Sequence, residues 1–127
     1  MAVSKPLPES ELDIMLVIWD SGDCVPAPAI LDGLGRTLTA SALHSYLKRL
    51  EEKGYLSCTK VGKVNTYTAL VTKEEYQRSA GASMLQKLYN GSISRFAAAL
   101  YDGKTLDREE LEQLQALLDR LSAEDMK

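Results

Sequence analysis

The sequence predicts a mostly helical protein of the α+β type, with three helices and a β-hairpin followed by a helical C-terminal region. Apolar residues recur at helical spacing up to Gly54, alternate on either side of Gly62-Lys63, and return to helical spacing up to Leu121. The 127 residues suffice for one ordinary domain, or for a small domain with a helical appendage. We therefore expect an N-terminal domain over residues 1–71 and a helical region over residues 72–127.

Two short amphipathic helices are predicted at the N-terminal end. The first begins at Glu9 and ends at Asp20-Ser21-Gly22. Its apolar residues at i, i+3, i+4 and i+7 predict one buried face, formed by Leu12, Met15, Leu16 and Trp19. The second helix is expected to begin at Pro26 and Pro28, which suit a first turn because their missing N–H groups have no role there. Its inward residues are expected to be Ala29, Ile30 and Leu34.

The third helix carries the clearest signals. Thr39 is a good N-cap, and Gly54 fits the position after the last turn. Leucines at i, i+4 and i+7 form its apolar side, at Leu43, Leu47 and Leu50. At about 100° per residue, a polar stripe lies opposite the leucines and contains Ser41, His44, Ser45 and Lys48.

A β-hairpin with a basic tip follows this helix. The segments YLSCTKV and VNTYTAL are rich in strand-forming residues and flank Gly62-Lys63. A two-residue loop with glycine first is typical of a type II′ turn.

The C-terminal region is helical and apolar on one side. Thr72 with Glu75 forms a capping-box pattern, and Ser92 is expected to cap a second helix. About 56 residues are marginal as an independent core, so we expect a second copy of the chain to cover the apolar stripes. The predicted dimerisation residues are Met84, Leu88, Ile93, Phe96, Leu100, Leu111, Leu114, Leu118 and Leu121.

Three helices followed by a hairpin is the order of a winged helix-turn-helix, whose third helix enters the major groove of DNA. The net charge is −3, but residues 36–63 hold six basic and two acidic side chains. Local positive charge of this kind favours a double-stranded DNA partner. The candidate DNA-binding residues are Thr39, Ser41, Ala42, His44, Ser45, Lys48, Arg49, Lys60 and Lys63. The alternative is a winged helix used for protein interaction, with the C-terminal helices binding a different helical partner.

The sequence lacks the residues that several classes of function require. His44 is the only histidine and has no acid in the same turn, so a catalytic base is not expected. Two cysteines, Cys24 and Cys58, are too few for an obvious metal site or a disulfide framework. Without a long apolar segment or a signal-peptide core, we expect a cytoplasmic protein with no cofactor, no metal and no membrane insertion.

The ordered segments ELDIMLVIWDSG, LHSYLKRLEEKGYL, TYTALVTKEEYQRS, LYNGSISRFAAAL and LDREELEQLQALLDRL resemble the penicillinase-repressor family of the BlaI, MecI and CopY type. The resemblance covers the chain from about Leu7 to Leu121. It implies a cytoplasmic homodimeric repressor that binds a palindromic operator of a resistance or stress-response operon. It also implies that C-terminal helices form the dimer, and that a membrane sensor protease is a partner.

The resemblance also locates a possible cleavage region. In penicillinase-type members, a membrane sensor with a zinc-protease domain triggers cleavage at an Asn-Phe pair, which aligns here with Ala99-Leu100. The chain departs from the family in this pair, and in Ser41, Ala42 and His44, where members often carry threonine and basic residues. Its C-terminus has no cysteine, whereas copper-responsive members carry a cysteine-rich metal site there.

Overall fold

A computed structural model describes residues 6–35 and 38–125 of the chain. The elements follow in the order α1 (Glu9–Ser21), β1 (Val25–Pro26), α2 (Ala27–Gly33), α3 (Ala40–Glu52), β2 (Leu56–Val61), β3 (Val64–Ala69), α4 (Lys73–Tyr89), α5 (Ile93–Asp102) and α6 (Arg108–Asp125). The mostly helical α+β fold class and the winged helix-turn-helix are confirmed.

The chain divides into two compact units, Met1–Ser83 and Met84–Lys127. The division lies later than the boundary expected after residue 71. Tyr76 and Ala80, in the first half of α4, explain the difference because both are buried in the core of the first unit. Helix α4 therefore begins in the first unit and ends in the second.

Helix α1 presents a different face to the core from the one predicted. Its buried residues are Glu11, Ile14, Met15 and Ile18. They have the same i, i+3, i+4, i+7 spacing as the predicted set, moved back by one residue, which is a rotation of about 100°. The prediction was wrong for Leu16, which is 42% exposed, while Leu12 and Trp19 are half-buried at the edge of the core. Because α1 is apolar nearly all round, spacing alone could not choose between the two faces.

The sheet has the antiparallel order β1-β3-β2. The hairpin register pairs Val61 with Val64, and Gly62 has a φ of 63°, as the first position of a type II′ turn requires. The sequence reading missed β1, which is only two residues long and pairs Val25 with Tyr67. Pro26 consequently ends this strand as the N-cap of α2, and of the three residues expected to face inward only Ile30 is fully buried.

The capping predictions are confirmed throughout. The Thr39 hydroxyl accepts a hydrogen bond from the Ala42 N–H at 3.0 Å. Thr72 and Glu75 form the reciprocal capping box, with bonds of 2.9 and 3.1 Å. The Ser92 hydroxyl accepts from the Arg95 N–H at 3.1 Å. These local bonds satisfy helix N–H groups that have no partner inside the helix.

Candidate nucleic-acid interface

Helix α3 is held so that one side of it faces outward. Leu43, Leu47 and Leu50 are buried in the core of the first unit. The Thr39 cap holds the first turn at one end, and Gly54, with a φ of 86°, follows the last turn at the other. The leucines therefore determine which side chains face outward, and these are the polar ones.

The polar residues predicted to face outward on α3 do so. The side chains of Ser41, His44, Ser45 and Lys48 are all exposed, while Ala42 beside them is half-buried. The Ser45 hydroxyl donates a hydrogen bond to the Ser41 carbonyl at 3.3 Å, so its oxygen remains available as an acceptor. The stripe thus presents hydroxyl, imidazole and ammonium groups, which are the groups that contact base edges in a major groove.

Arg49 lies at the edge of this stripe. Its guanidinium carbon is 5.7 Å from the centre of the Tyr46 ring, which is a cation–π distance. This contact holds the long side chain beside the Tyr46 ring. An arginine in this position is suited to a phosphate oxygen.

The hairpin supplies two further basic groups. Lys60 is exposed on β2, opposite Asn65 of β3, and Lys63 is exposed in the turn. The two valines that flank the turn, Val61 and Val64, are exposed as well. A projecting tip with lysines at and near its end is the kind of surface that lies along a DNA backbone.

The count of six basic side chains in residues 36–63 overstates the positive charge that is available to DNA. Lys53 forms an ion pair with the buried Glu11, so its charge is already compensated. Arg36, which was part of the basic count, lies outside the described residues. Glu52 is exposed one turn beyond Lys48 on the same stripe, and the sequence reading missed it as a site residue. Its spacing of i+4 from Lys48 and i+7 from Ser45 was the signal that could have found it.

The predicted dimerisation residues lie on α4, α5 and α6. Phe96, Leu100 and Leu114 are half-buried and line an apolar groove of about 500 Å³ within the second unit. Phe96 also packs on Tyr89, with ring centres 5.2 Å apart. The remaining members are exposed in the single chain, namely Met84, Leu88, Ile93, Leu111, Leu118 and Leu121.

The predicted cleavage pair lies near the end of α5. Ala99 is exposed and Leu100 is half-buried. The Leu100 carbonyl accepts hydrogen bonds from the N–H groups of Thr105 and Leu106, at 2.8 and 3.2 Å. The pair is therefore helical and hydrogen-bonded, and it has to unwind before it can enter an active site that takes an extended chain.

Both cysteines are exposed, and they lie next to opposite sides of β3. The Cys24 N–H donates to the Thr68 hydroxyl at 3.0 Å, and Cys58 is paired with Tyr67 in the hairpin register. Burial, with a smaller contribution from the hydrogen bond with Cys58, raises the pKa of Tyr67 to about 12. Within residues 6–35 and 38–125, no three Asp, Glu, His or Cys side chains come together as a metal site requires. None of the helices described there is long and apolar enough to cross a membrane.

Comparison with known proteins identifies the family of this chain. The family model of the penicillinase repressors matches residues 7–120. The chain belongs to the penicillinase repressor family. It is accordingly a transcriptional repressor by family.

Individual members of the penicillinase repressor family align over most of their length. The chain is 28% identical to the penicillinase repressor of Bacillus licheniformis over 113 residues, which is 87% of this chain and 88% of that protein. It is 32% identical over 116 residues to a 16.5 kDa protein of Latilactobacillus sakei from the ptsI 3′ region, covering 90% of this chain and 79% of the relative. The solved DNA-binding domain of the repressor BlaI matches 60% of this chain and 94% of its own length, with a TM-score of 0.51 and 27% identity.

Proposed function

We propose that the protein is a homodimeric repressor that binds a palindromic operator in double-stranded DNA and blocks transcription of a resistance or stress-response operon. The observation that carries this proposal is the outward polar stripe of α3, on a helix whose other side is locked into the core. The similarity to a penicillinase repressor and to the DNA-binding domain of a repressor supports the same activity.

The interface divides into groups that read bases and groups that hold phosphates. Ser41, His44 and Ser45 lie in the first half of α3, the part of a recognition helix that reaches base edges. Lys48 belongs to the same stripe, and Thr39 and Ala42 flank its start. The cations at the edge and on the hairpin, Arg49, Lys60 and Lys63, are placed for phosphate oxygens.

Dimerisation is proposed for the region from residue 72 onward, with residues 1–71 binding DNA. Six of the nine predicted dimerisation residues are exposed in the single chain, and exposed apolar stripes of this kind are usually covered by a partner. A second copy would present the same stripe, as a two-fold interface requires. Two linked winged helices then match the two half-sites of a palindrome.

Release from DNA is proposed to follow proteolysis or another loss of the dimer. The possible cleavage region at Ala99-Leu100 lies in α5, before α6 in the chain. A cut there breaks the covalent link between α6 and the DNA-binding part. A membrane sensor protease is the proposed partner for this step. The protein itself needs no cofactor in this scheme.

A gel-shift experiment tests the function directly. The full chain is titrated against DNA from upstream of its own gene and against a scrambled duplex of equal length and composition. We expect retention of the upstream DNA at protein concentrations at least tenfold lower than those that retain the scrambled DNA. Equal retention of both duplexes would contradict a sequence-specific repressor and favour the protein-interaction module.

Replacing Lys63 by alanine is expected to weaken binding to all DNA sequences alike. One lost phosphate contact reduces the slope of log affinity against log salt by about 0.9. The slope is measured on the upstream and scrambled duplexes between low and moderate salt. Lys73→Ala, an exposed lysine at the start of α4, is the matched control. An unchanged slope for Lys63→Ala on both duplexes would remove the hairpin from the interface.

Inducing conditions are expected to produce a repressor fragment of about 100 residues in the native host, if proteolysis is the release step. The estimate follows from a cut within Ile93–Asp102. Immunoblotting before and after induction detects the fragment, and mass spectrometry gives its last residue. Derepression with only intact protein present would contradict proteolysis.

A further inference from the structure

A buried ion pair joins the end of α3 to α1. The Lys53 Nζ lies 2.6 Å from the Glu11 Oε1, across a sequence separation of 42 residues. The Glu11 side chain is only 4% exposed, whereas that of Lys53 is 42% exposed. Glu11 therefore depends on Lys53 for its charge compensation, while the stem of Lys53 remains partly in solvent.

The pair lies away from the surface that faces DNA. Lys53 is the C-cap residue of α3, five positions beyond Lys48. At about 100° per residue, it is rotated by about 140° from Lys48. Its partner belongs to the buried face of α1 and not to any basic surface. Lys53 is thus directed toward the protein interior rather than toward a phosphate.

Tyr55, which follows α3, adds further contacts near the junction between α1 and α3. Burial raises the pKa of Tyr55, and the neighbouring Tyr76 and Glu11 raise it further. The Tyr55 and Tyr76 rings pack edge to face with centres 6.0 Å apart. The Tyr55 N–H donates to the Leu50 carbonyl of α3 at 2.9 Å. The backbone bond ties Tyr55 to the last turn of α3, and the ring contact ties Tyr55 to α4.

We propose that Glu11 and Lys53 are positioning residues for sequence recognition: they fix the last turn of α3 on α1 and so set the angle at which Ser41, His44 and Ser45 meet the bases. This inference rests on the proposed DNA-binding function. Neither residue contacts DNA. A helix that can pivot about its end keeps its phosphate contacts more easily than its base contacts, since base contacts demand closer geometry.

The test replaces Lys53 by methionine in the full-length protein and measures affinity for the upstream and scrambled duplexes below the unfolding temperature. We expect a loss of about tenfold on the upstream duplex, with less than about twofold on the scrambled one. The salt slope should be unchanged on both, because no phosphate contact is lost. Lys53→Arg should restore the preference, since a guanidinium can still bind the Glu11 carboxylate.

A second variant separates positioning from simple destabilisation. Glu11→Gln combined with Lys53→Met removes the buried unpaired charge, so it should unfold at a higher temperature than Lys53→Met alone while still losing the preference. A salt slope that falls by about one for Lys53→Met would overturn the proposal by making Lys53 a phosphate contact. An unchanged preference in a destabilised protein would overturn it as well.

Hydrogen exchange tests the junction without DNA. The Lys53 and Gly54 N–H groups donate to the carbonyls of Arg49 and Glu51, at 2.9 and 3.0 Å. In Lys53→Met these amides should exchange about tenfold faster, while those in the middle of α1 keep their rate. Unchanged exchange at the end of α3 would overturn the positioning role even if the upstream duplex were not the operator. If the wild-type protein shows no preference but the exchange change is seen, the proposed function fails and the junction stands.

Discussion

Replacing Leu118 and Leu121 together by aspartate is expected to turn a dimer into a monomer and to reduce operator affinity by about 10²–10⁴-fold. Both side chains are more than 40% exposed on α6 in the single chain, so the change removes little internal packing of the second unit. Two carboxylates in an apolar interface carry a large desolvation cost. Without the dimer, the second half-site no longer binds at the high effective concentration that the first provides.

The measurement pairs molecular mass in solution, from light scattering, with operator affinity from a gel shift. Ala116→Asp is the matched control, because it adds a charge to the opposite side of the same exposed helix. The control should remain dimeric and bind with wild-type affinity. A monomeric double variant that binds the operator at full strength would refute the role of dimerisation.

His44→Ala is expected to lower operator affinity by about 1–3 kcal/mol, a factor of about 5 to 150, with little change on scrambled DNA. His44 is exposed in the first half of α3, between Ser41 and Ser45 on the side that faces away from the leucine core. A side chain that reads a base contributes only where that base is present. The loss should therefore be confined to the specific duplex, and the salt slope should stay the same if the imidazole bonds a base edge.

The matched control for His44→Ala is Gln77→Ala, an exposed polar residue on α4 outside the proposed interface. Affinities for both duplexes are measured at the same salt concentration, with circular dichroism to verify folding. Selecting binding sites from a random duplex library with His44→Ala should yield a relaxed preference at one position of each half-site. Equal losses on specific and scrambled DNA would place His44 on the backbone rather than on a base.

The elements of the fold were predictable where the signals are local. The start of a helix is predictable at Thr39, Thr72 and Ser92. A hydroxyl at an N-cap accepts a hydrogen bond from an N–H group two or three residues further along the chain. Gly62 predicts the hairpin turn because glycine adopts a positive φ without steric strain. The two-residue strand β1 has no such signal, because its pairing of Val25 with Tyr67 depends on a distant segment.

The candidate site was predictable to the extent that helical periodicity determines it. Leu43, Leu47 and Leu50 choose the buried side of α3, and the opposite stripe is then exposed by geometry. Charge counting was less reliable than periodicity. Lys53 counted as a basic residue, yet its charge is compensated by Glu11. Glu52, which shares the stripe, was overlooked because it follows the segment that defined the stripe.

The sequence by itself determined the order of three helices, a hairpin and a helical C-terminal region, since these depend on caps, turns and the period of apolar residues. Only the tertiary structure decided which face of α1 is buried, where the first compact unit ends, and which basic residue pairs with the buried Glu11. Leu16 and Ile14 are equally apolar, and only the packing of α1 in the core leaves the first exposed and the second buried. The Glu11–Lys53 pair spans 42 residues, a distance over which no local preference acts, so it forms only when the helices have packed.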